Sequence, residues 1–166
     1  MKNLPIKLAR DPILEAVFEL RFQPKVPSAS DLLPGLLYPT FRDRFKTPER
    51  LPTADIPRQF LALNPELAYQ PRVRLTSDQY SIFIGDKSTI ISCPKPYVGW
   101  IDFRLFLLEV LAELQKADLI SAVDRLSIKY VNLIESNNLK DQYNYLRMSA
   151  NLGSYDLTEH LTAIAS

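Results

Sequence analysis

Cysteine, histidine and glycine are all scarce in this chain of 166 residues. It has one cysteine (Cys93), one histidine (His160) and four isolated glycines. A single cysteine excludes an intrachain disulfide and fits a reducing cytoplasm. One cysteine and one histidine cannot form a zinc site without carboxylate ligands, and isolated glycines do not form a phosphate-binding loop. We therefore expect neither a metal nor a cofactor.

Catalytic side chains are poorly represented as well. A nucleophile–histidine pair would require Cys93 and His160, but Cys93 lies in a predicted strand, where a free cysteine is usually a small buried hydrophobe. His160 lies on a predicted helix near the end of the sequence, which favours a surface or packing role. The carboxylates of Glu15 and Glu19 would be about 13 Å apart along a strand, too far for shared acid–base chemistry. An enzyme is thus the least supported class.

Long apolar runs and a large net charge are also missing. Hydrophobic residues make up 46% of the chain, charged residues 23%, and the formal net charge is +1. This balance is typical of a globular domain, and it gives no general attraction to nucleic acid or to an anionic membrane. No apolar run approaches the roughly 18 to 20 residues that span a bilayer. The sequence predicts a cytoplasmic protein without a membrane segment.

One short segment resembles a nucleic-acid patch. Residues 41–50, "FRDRFKTPER", interleave four basic residues with Phe41 and Phe45. Asp43 and Glu49 dilute the positive charge, and the two phenylalanines have the i,i+4 spacing of a helix with a buried side. The pattern favours an amphipathic helix and argues against nucleic acid as a partner.

Prolines divide the chain. All 13 precede residue 97, and nine fall within residues 24–71, which excludes a long regular element there. Within this irregular connection, residues 30–45 predict a helix that is capped by Ser30 or Asp31 and is ended or kinked by Pro39.

Alternation with a period of two predicts strands. In the first, residues 15–22, the apolar face has Ala16, Phe18, Leu20 and Phe22, and the other face has Glu15, Val17, Glu19 and Arg21. Residues 72–93 predict three strands joined by tight turns, one of them at Gly85 and Asp86. Residues 123–135 predict a long strand with Leu126, Ile128 and Tyr130 on one face and Arg125, Lys129, Val131 and Leu133 on the other.

Residues 99–118 have the clearest helical pattern in the chain. Apolar residues recur at helical spacing at Trp100, Phe103, Leu107, Val110, Leu111 and Leu114. Because Ile101, Leu105, Phe106 and Leu108 widen the apolar arc, we expect this helix to be mostly buried against a sheet. The element order β-α-β-β-β-α-β then predicts an α+β fold, an antiparallel sheet with a long helix packed on one face. The alternative is a sheet curved around the helix, leaving a cavity.

Two motifs carry a family resemblance. "PILEAVFELRF" at residues 12–22, followed downstream by "YVGW" and by "RLSIKYVN" at residues 125–132, resembles a sporadically distributed family of uncharacterised bacterial proteins. That family has an N-terminal PIxEAVFExRF motif and a later RLxxxYxN motif. The resemblance implies a bacterial protein with a link to defence or mobile elements, and it assigns no reaction. It also implies an α+β domain over residues 1–140, with residues 141–166 beginning a further segment or a truncated second half.

The sequence favours two functional classes. The first is a non-catalytic protein-interaction or regulatory module, with a protein partner or a homo-oligomer formed through the charged faces of the first and last strands. Its predicted interface residues are Glu15, Val17, Glu19, Arg21, Arg125, Lys129, Val131 and Leu133. The second is a small-ligand-binding domain whose cavity is lined by Tyr80, Phe83, Trp100 and Tyr130. The simpler alternative is that the charged faces of the two strands form a cross-strand ionic ladder, a series of opposite-sign pairs within the chain.

Overall fold

The structure is a computed structural model that describes residues 11–57, 59–60, 64, 67–133, 151–152 and 155–156. The chain divides into two compact units, Met1–Leu133 and Ile134–Ser166. The second unit contains the antiparallel strand pair β7 (Asn151–Leu152) and β8 (Tyr155–Asp156). The first unit contains every other described element.

The first unit is an α+β fold, as predicted. Its elements in chain order are β1 (Ile13–Pro24), α1 (Ala29–Phe41), β2 (Glu49–Arg50), β3 (Pro71–Thr76), β4 (Ser81–Gly85), β5 (Ser88–Pro94), α2 (Trp100–Ala117) and β6 (Ile120–Asn132), with 3-10 turns at Pro52–Asp55 and Leu67–Tyr69. The six strands form one antiparallel sheet in the order β2-β3-β4-β5-β1-β6. The sheet is open, so β2 and β6 lie at its edges.

The sequence places the predicted strands and the long helix within a few residues of their observed bounds. The strand predicted over residues 123–135 begins earlier, at Ile120, and the described strand ends at Asn132. The first and last long strands are direct neighbours, because β1 lies between β5 and β6. Ala16 is opposite Cys93 on one side and Tyr130 on the other, which puts all three on one face of the sheet.

The core lies between that face and the two helices. Strand β1 supplies Phe18 and Phe22, which the alternation of apolar and polar residues turns towards α2, and both are buried. Helix α2 inserts Phe106, whose ring stacks on Tyr80 with centroids 4.1 Å apart. Phe41 of α1 meets Phe106 edge to face at 6.0 Å. The aromatic rings thus join both helices to the sheet.

Helix α1 differs from the prediction at both ends. Its N-cap is Ser28, which makes no side-chain capping bond. The carboxylate of Asp86 instead accepts hydrogen bonds from the backbone N–H (3.1 Å) and the hydroxyl (2.7 Å) of Ser30. This places a negative charge at the positive end of the helix, but from a turn 56 residues away. The helix ends at Phe41, two residues after Pro39 rather than at residue 45.

The turn between β4 and β5 is one residue later than predicted. Gly85 is the last residue of β4, and Asp86 and Lys87 form the turn. Glycine is required at position 85 for space, because a Cβ there would lie 2.7 Å from the carbonyl oxygen of Gln70. Its φ is not the reason, since the chain turns here without a positive φ at Gly85.

Burial of Phe103 should account for a large share of the stability of the first unit. Its side chain is fully buried, whereas that of Leu105 on the same helix is 58% exposed. Phe103→Ala is expected to lower the free energy of unfolding by about 3–5 kcal/mol through lost apolar burial and a residual cavity. Leu105→Ala, the matched control, should change it by less than about 0.5 kcal/mol. Equilibrium urea denaturation measures both, and equal losses would contradict this packing.

Candidate functional site

The charged side chains predicted as an interface do share one face of the sheet. In the observed register Glu15 is opposite Val131, Val17 opposite Lys129, Glu19 opposite Ser127 and Arg21 opposite Arg125. Residues opposite each other in an antiparallel pair point to the same side. These side chains therefore lie on the outer face, away from the helices. Leu133 directly follows the end of β6, and its backbone N–H donates to the carbonyl of Pro12 at 2.8 Å.

The charges around Glu19 on this outer face are engaged within the chain. The Glu19 carboxylate accepts from Arg21 at 3.0 Å and from Arg125 across the strand pair. The Arg21 guanidinium also lies 4.3 Å from the ring centroid of Tyr69, a cation–π contact. Glu15 accepts a hydrogen bond from the hydroxyl of Ser92. On the described outer face, one ion pair, between Glu19 and Arg125, thus crosses from β1 to β6, and Glu19 also bridges Arg21 and Arg125, which lie opposite each other.

The pKa of Glu19 records this arrangement. Burial raises the pKa of its carboxyl, but the hydrogen bonds donated by Arg125 and Arg21 outweigh that effect and bring the pKa below its usual value. The side chain is only 15% exposed, so its partners are screened less than those of a surface carboxylate. The Glu19 carboxylate thus has a structural role, since its ion pair with Arg125 links β1 to β6.

The four residues predicted to line a ligand cavity do not surround one space. Tyr80 is buried on the helix side of the sheet, where its ring stacks on Phe106. Phe83 is opposite Arg74 and Ile90, on the outer face. Trp100 and Tyr130 are on the helix side and are 46% and 40% exposed. The ligand-binding alternative would therefore need a different set of residues.

The described residues offer little chemistry. Cys93 is fully buried, and burial raises the pKa of its thiol, so the reactive thiolate is disfavoured. No group of three or more His, Cys, Asp or Glu that could hold a metal ion occurs in the part of the chain that the structure describes. His160 and its predicted helix lie outside the described residues. Neither helix with described bounds is long and apolar enough to cross a membrane.

The inner face of β6 is the feature that the sequence did not predict. Val123, Leu126, Ile128 and Tyr130 are opposite Phe22, Leu20, Phe18 and Ala16 of β1, all of which are buried. Yet Leu126 is 59% exposed, Val123 56% and Ile128 44%. The sequence predicts that the long helix covers this apolar face. In the structure it is open to solvent along most of its length.

Helix α2 extends this apolar surface along one flank. Leu111 and Gln115 of α2 and Val123 and Leu126 of β6 line a shallow groove with a volume of about 310 Å³. Leu108 is three residues before Leu111 and therefore shares its flank. Trp100, eleven residues before Leu111, returns to the same flank after three turns. We call this set the α2–β6 surface: Trp100, Leu108, Leu111, Val123, Leu126, Ile128 and Tyr130.

The widths of the two layers explain why the surface is open. Strand axes are about 4.8 Å apart, so six strands span about 24 Å from first to last. Two packed helices with axes 8–10 Å apart cover about 20 Å. Helix α1 contacts β3 and β4, and α2 packs beside it through Thr40, whose hydroxyl donates to Glu113 at 3.0 Å. In the part of the chain that the structure describes, the edge strand β6 is then left without a covering helix. The sequence predicts only five of these six strands, which would span about 19 Å, so counting predicted strands against helices does not reveal this exposure.

Comparisons with known proteins do not extend this description. No family model matches the chain, and neither a curated protein nor a solved structure matches it significantly. The resemblance of its two motifs to a bacterial family therefore stays a prediction.

The role assigned to Glu19 predicts a pH dependence. Because its folded-state pKa lies below the usual value of 4.5, ionised Glu19 stabilises the fold fully above the unfolded-state pKa. That contribution disappears as pH falls through the lower folded-state pKa. Glu19→Gln should lower the free energy of unfolding by about 1 kcal/mol at neutral pH, and the difference from wild type should vanish in acid.

The matched control is Glu49→Gln. Glu49 also pairs with an arginine, Arg74, but its side chain is 58% exposed, so its replacement should have a smaller effect at any pH. Denaturation with urea at a series of pH values measures both variants. A constant difference between wild type and Glu19→Gln from neutral pH to strong acid would contradict the assigned role.

Proposed function

We propose that this chain is a non-catalytic protein-interaction module whose protein partner binds the α2–β6 surface. The proposal rests on two features that occur together on strand β6. Strand β6 has an uncovered apolar face, and in the described sheet it is also an edge without a neighbour on its outer side. A partner can therefore add backbone hydrogen bonds to the edge and apolar contacts to the face.

The composition of the surface supports a protein as the partner. Aromatic and aliphatic side chains make up most of this surface, with the exposed Arg104 on the same flank of α2 and Gln115 and Asp118 lining the groove. Interface cores are typically depleted in charge and enriched in aromatic residues. Burying a large apolar side chain that is now half exposed is worth about 1 kcal/mol, so several such side chains favour association. Contiguous exposed apolar patches generally mark such sites.

The charged outer face is a less favourable binding site for a partner than the α2–β6 surface. Its acidic and basic groups around Glu19 are already paired within the chain, so a partner there would gain little from them. Two pockets outside this surface are open to the small-ligand alternative, one of about 420 Å³ beside Arg72 and one of about 380 Å³ beside Tyr80. The groove beside Leu126 is smaller, with a volume of about 310 Å³, near the lower limit of about 300 Å³ for small-molecule sites. That groove is half open and lies within the proposed protein-binding surface.

The test uses the full-length protein as bait in its own host, in three forms. The double variant Leu126→Lys/Ile128→Lys places two charges on the α2–β6 surface. The matched control Leu32→Lys/Leu36→Lys charges two leucines of α1 that are 48% and 50% exposed. We expect wild type and the control to retain the same partner, and the double variant to lose it, because an unpaired charge in an interface core is costly.

Two results would overturn the proposal. One is recovery of the same proteins, in the same amounts, with all three baits. The other is recovery of no protein, including no second copy carrying a different tag. Circular dichroism and thermal unfolding of each bait confirm beforehand that the substitutions leave the fold intact.

A further inference from the structure

In the described sheet, β6 has a free edge with a defined hydrogen-bonding phase. The backbone N–H of Leu133 donates to the carbonyl of Pro12, on the β1 side. Because successive N–H groups along a strand point to opposite edges, odd-numbered residues in this part of β6 face β1. Leu126, Ile128 and Tyr130 therefore direct their N–H and C=O groups to the free edge.

The far side of β1 gives the same phase independently. The N–H of Phe22 donates to the carbonyl of Lys87, on the β5 side, at 3.0 Å. Val17, five residues earlier, must then face β6, and its register partner is Lys129. Both bonds agree that the odd-numbered residues of β6 are used by β1 and the even-numbered ones are not.

We infer that the partner at this edge is a second copy of the chain, with β6 pairing antiparallel to β6 about a two-fold axis at Ile128. The inference rests on the proposed function in that it uses the same surface, and it names the partner. A two-fold axis makes the same patch serve both copies, which is the commonest symmetry of soluble oligomers.

The charges of β6 exclude the two neighbouring axes on its outer face. With the axis at Ser127, Arg125 of each copy would lie opposite Lys129 of the other, and with the axis at Lys129 the two lysines would face each other. With the axis at Ile128, Lys129 faces Ser127 and Arg125 faces Val131. Like charges directly opposite each other are unfavourable, so only the last of these three registers avoids repulsion.

The geometry of β6 points to the same axis. Arg21 pairs with Arg125 and Phe22 with Val123, so Asp124 is an extra residue that interrupts the regular strand. The regular part of the edge is therefore residues 125–132. An axis at Ile128 lies near the middle of this part and pairs residues 125–131 of both copies. With the axis at Leu126, only residues 125–127 would pair before the irregularity at Asp124 is reached.

Pairing in this register also covers the exposed side chains. Leu126 would lie opposite Tyr130 of the second copy, and the two Ile128 side chains would face each other. A two-fold axis perpendicular to the sheet keeps both α2 helices on the same side, with the flanks that contain Leu108 turned towards each other. The two copies then share one continuous sheet. The inner faces of the two β6 strands lie at its centre, between the two α2 helices.

A cross-linking experiment tests the position of the axis. Ile128→Cys places one thiol per copy next to the axis, whereas Leu36→Cys, the matched control, places one on α1 at similar exposure (44% and 50% in the wild type). The native Cys93 is fully buried and should not react. A short bis-maleimide is expected to join two copies of Ile128→Cys and to leave Leu36→Cys and wild type as single chains.

A pair of charge substitutions tests the register. Ser127 faces Lys129 of the second copy only when the axis is at Ile128, so Ser127→Lys should weaken dimerisation about tenfold and Ser127→Glu should strengthen it. An axis at Ser127 would make both variants weaker. Because Ser127 is also opposite Glu19 in its own chain, thermal unfolding of each variant is measured first, and dimerisation is compared by light scattering after size exclusion.

The outcomes separate the inference from the proposed function. A dimer that is joined through Ile128→Cys and responds in opposite directions to the two Ser127 variants supports the inference. A monomer at about 100 μM, or a dimer that neither joins through Ile128→Cys nor responds to Ser127→Lys, overturns it. If a different protein is retained by the monomer and lost on Leu126→Lys/Ile128→Lys, the proposed function stands and the second copy is excluded as the partner.

Discussion

The structure depends on the burial of one face of β1. Ala16, Phe18, Leu20 and Phe22 are at most 6% exposed, and this strand pairs with β5 on one side and β6 on the other. A shift of one residue would move the whole apolar set to the outer face, so the burial of β1 fixes the register of three strands at once. The same alternation places Glu19 on the outer face, where it meets Arg21 and Arg125. The ion pairs of Glu19 are thus a consequence of the hydrophobic register.

Among the described residues, helices α1 and α2 lie over six strands and leave one strand, β6, uncovered. Helix α2 is held against α1 by the aromatic cluster around Phe106 and by polar contacts between their sides. It therefore covers the middle of the sheet, and β6, at the edge, keeps an apolar face in solvent. A plainly solvated edge would carry polar residues on both faces. This departure is why we assign the function to β6 and the adjacent flank of α2, although the outer face carries more charge.

Much of the fold is readable in the sequence because local periodicity reports which side chains share a face. The alternation in residues 15–22 and 123–132 and the helical spacing from Trp100 to Leu114 predict three elements and their apolar sides. Periodicity does not report what covers a face, so the exposure of Leu126 and Ile128 was not predicted. Nor does it report contacts between distant segments. The Asp86 carboxylate at the start of α1 arises from the tertiary fold, whereas the separation of Tyr80 from Phe83 by the sheet follows from the alternation of residues 80–84.

Residue-resolved amide hydrogen exchange along β6, at a concentration where the chain is monomeric, tests the assignment of this strand most directly. Exchange reports whether each N–H is hydrogen-bonded. We predict slow exchange at Arg125, Ser127 and Lys129, whose N–H groups face β1, and fast exchange at the intervening residues 126, 128 and 130. Equal protection of both sets in the monomer would show that the chain itself covers this edge, and would contradict the assignment of β6 as the binding site.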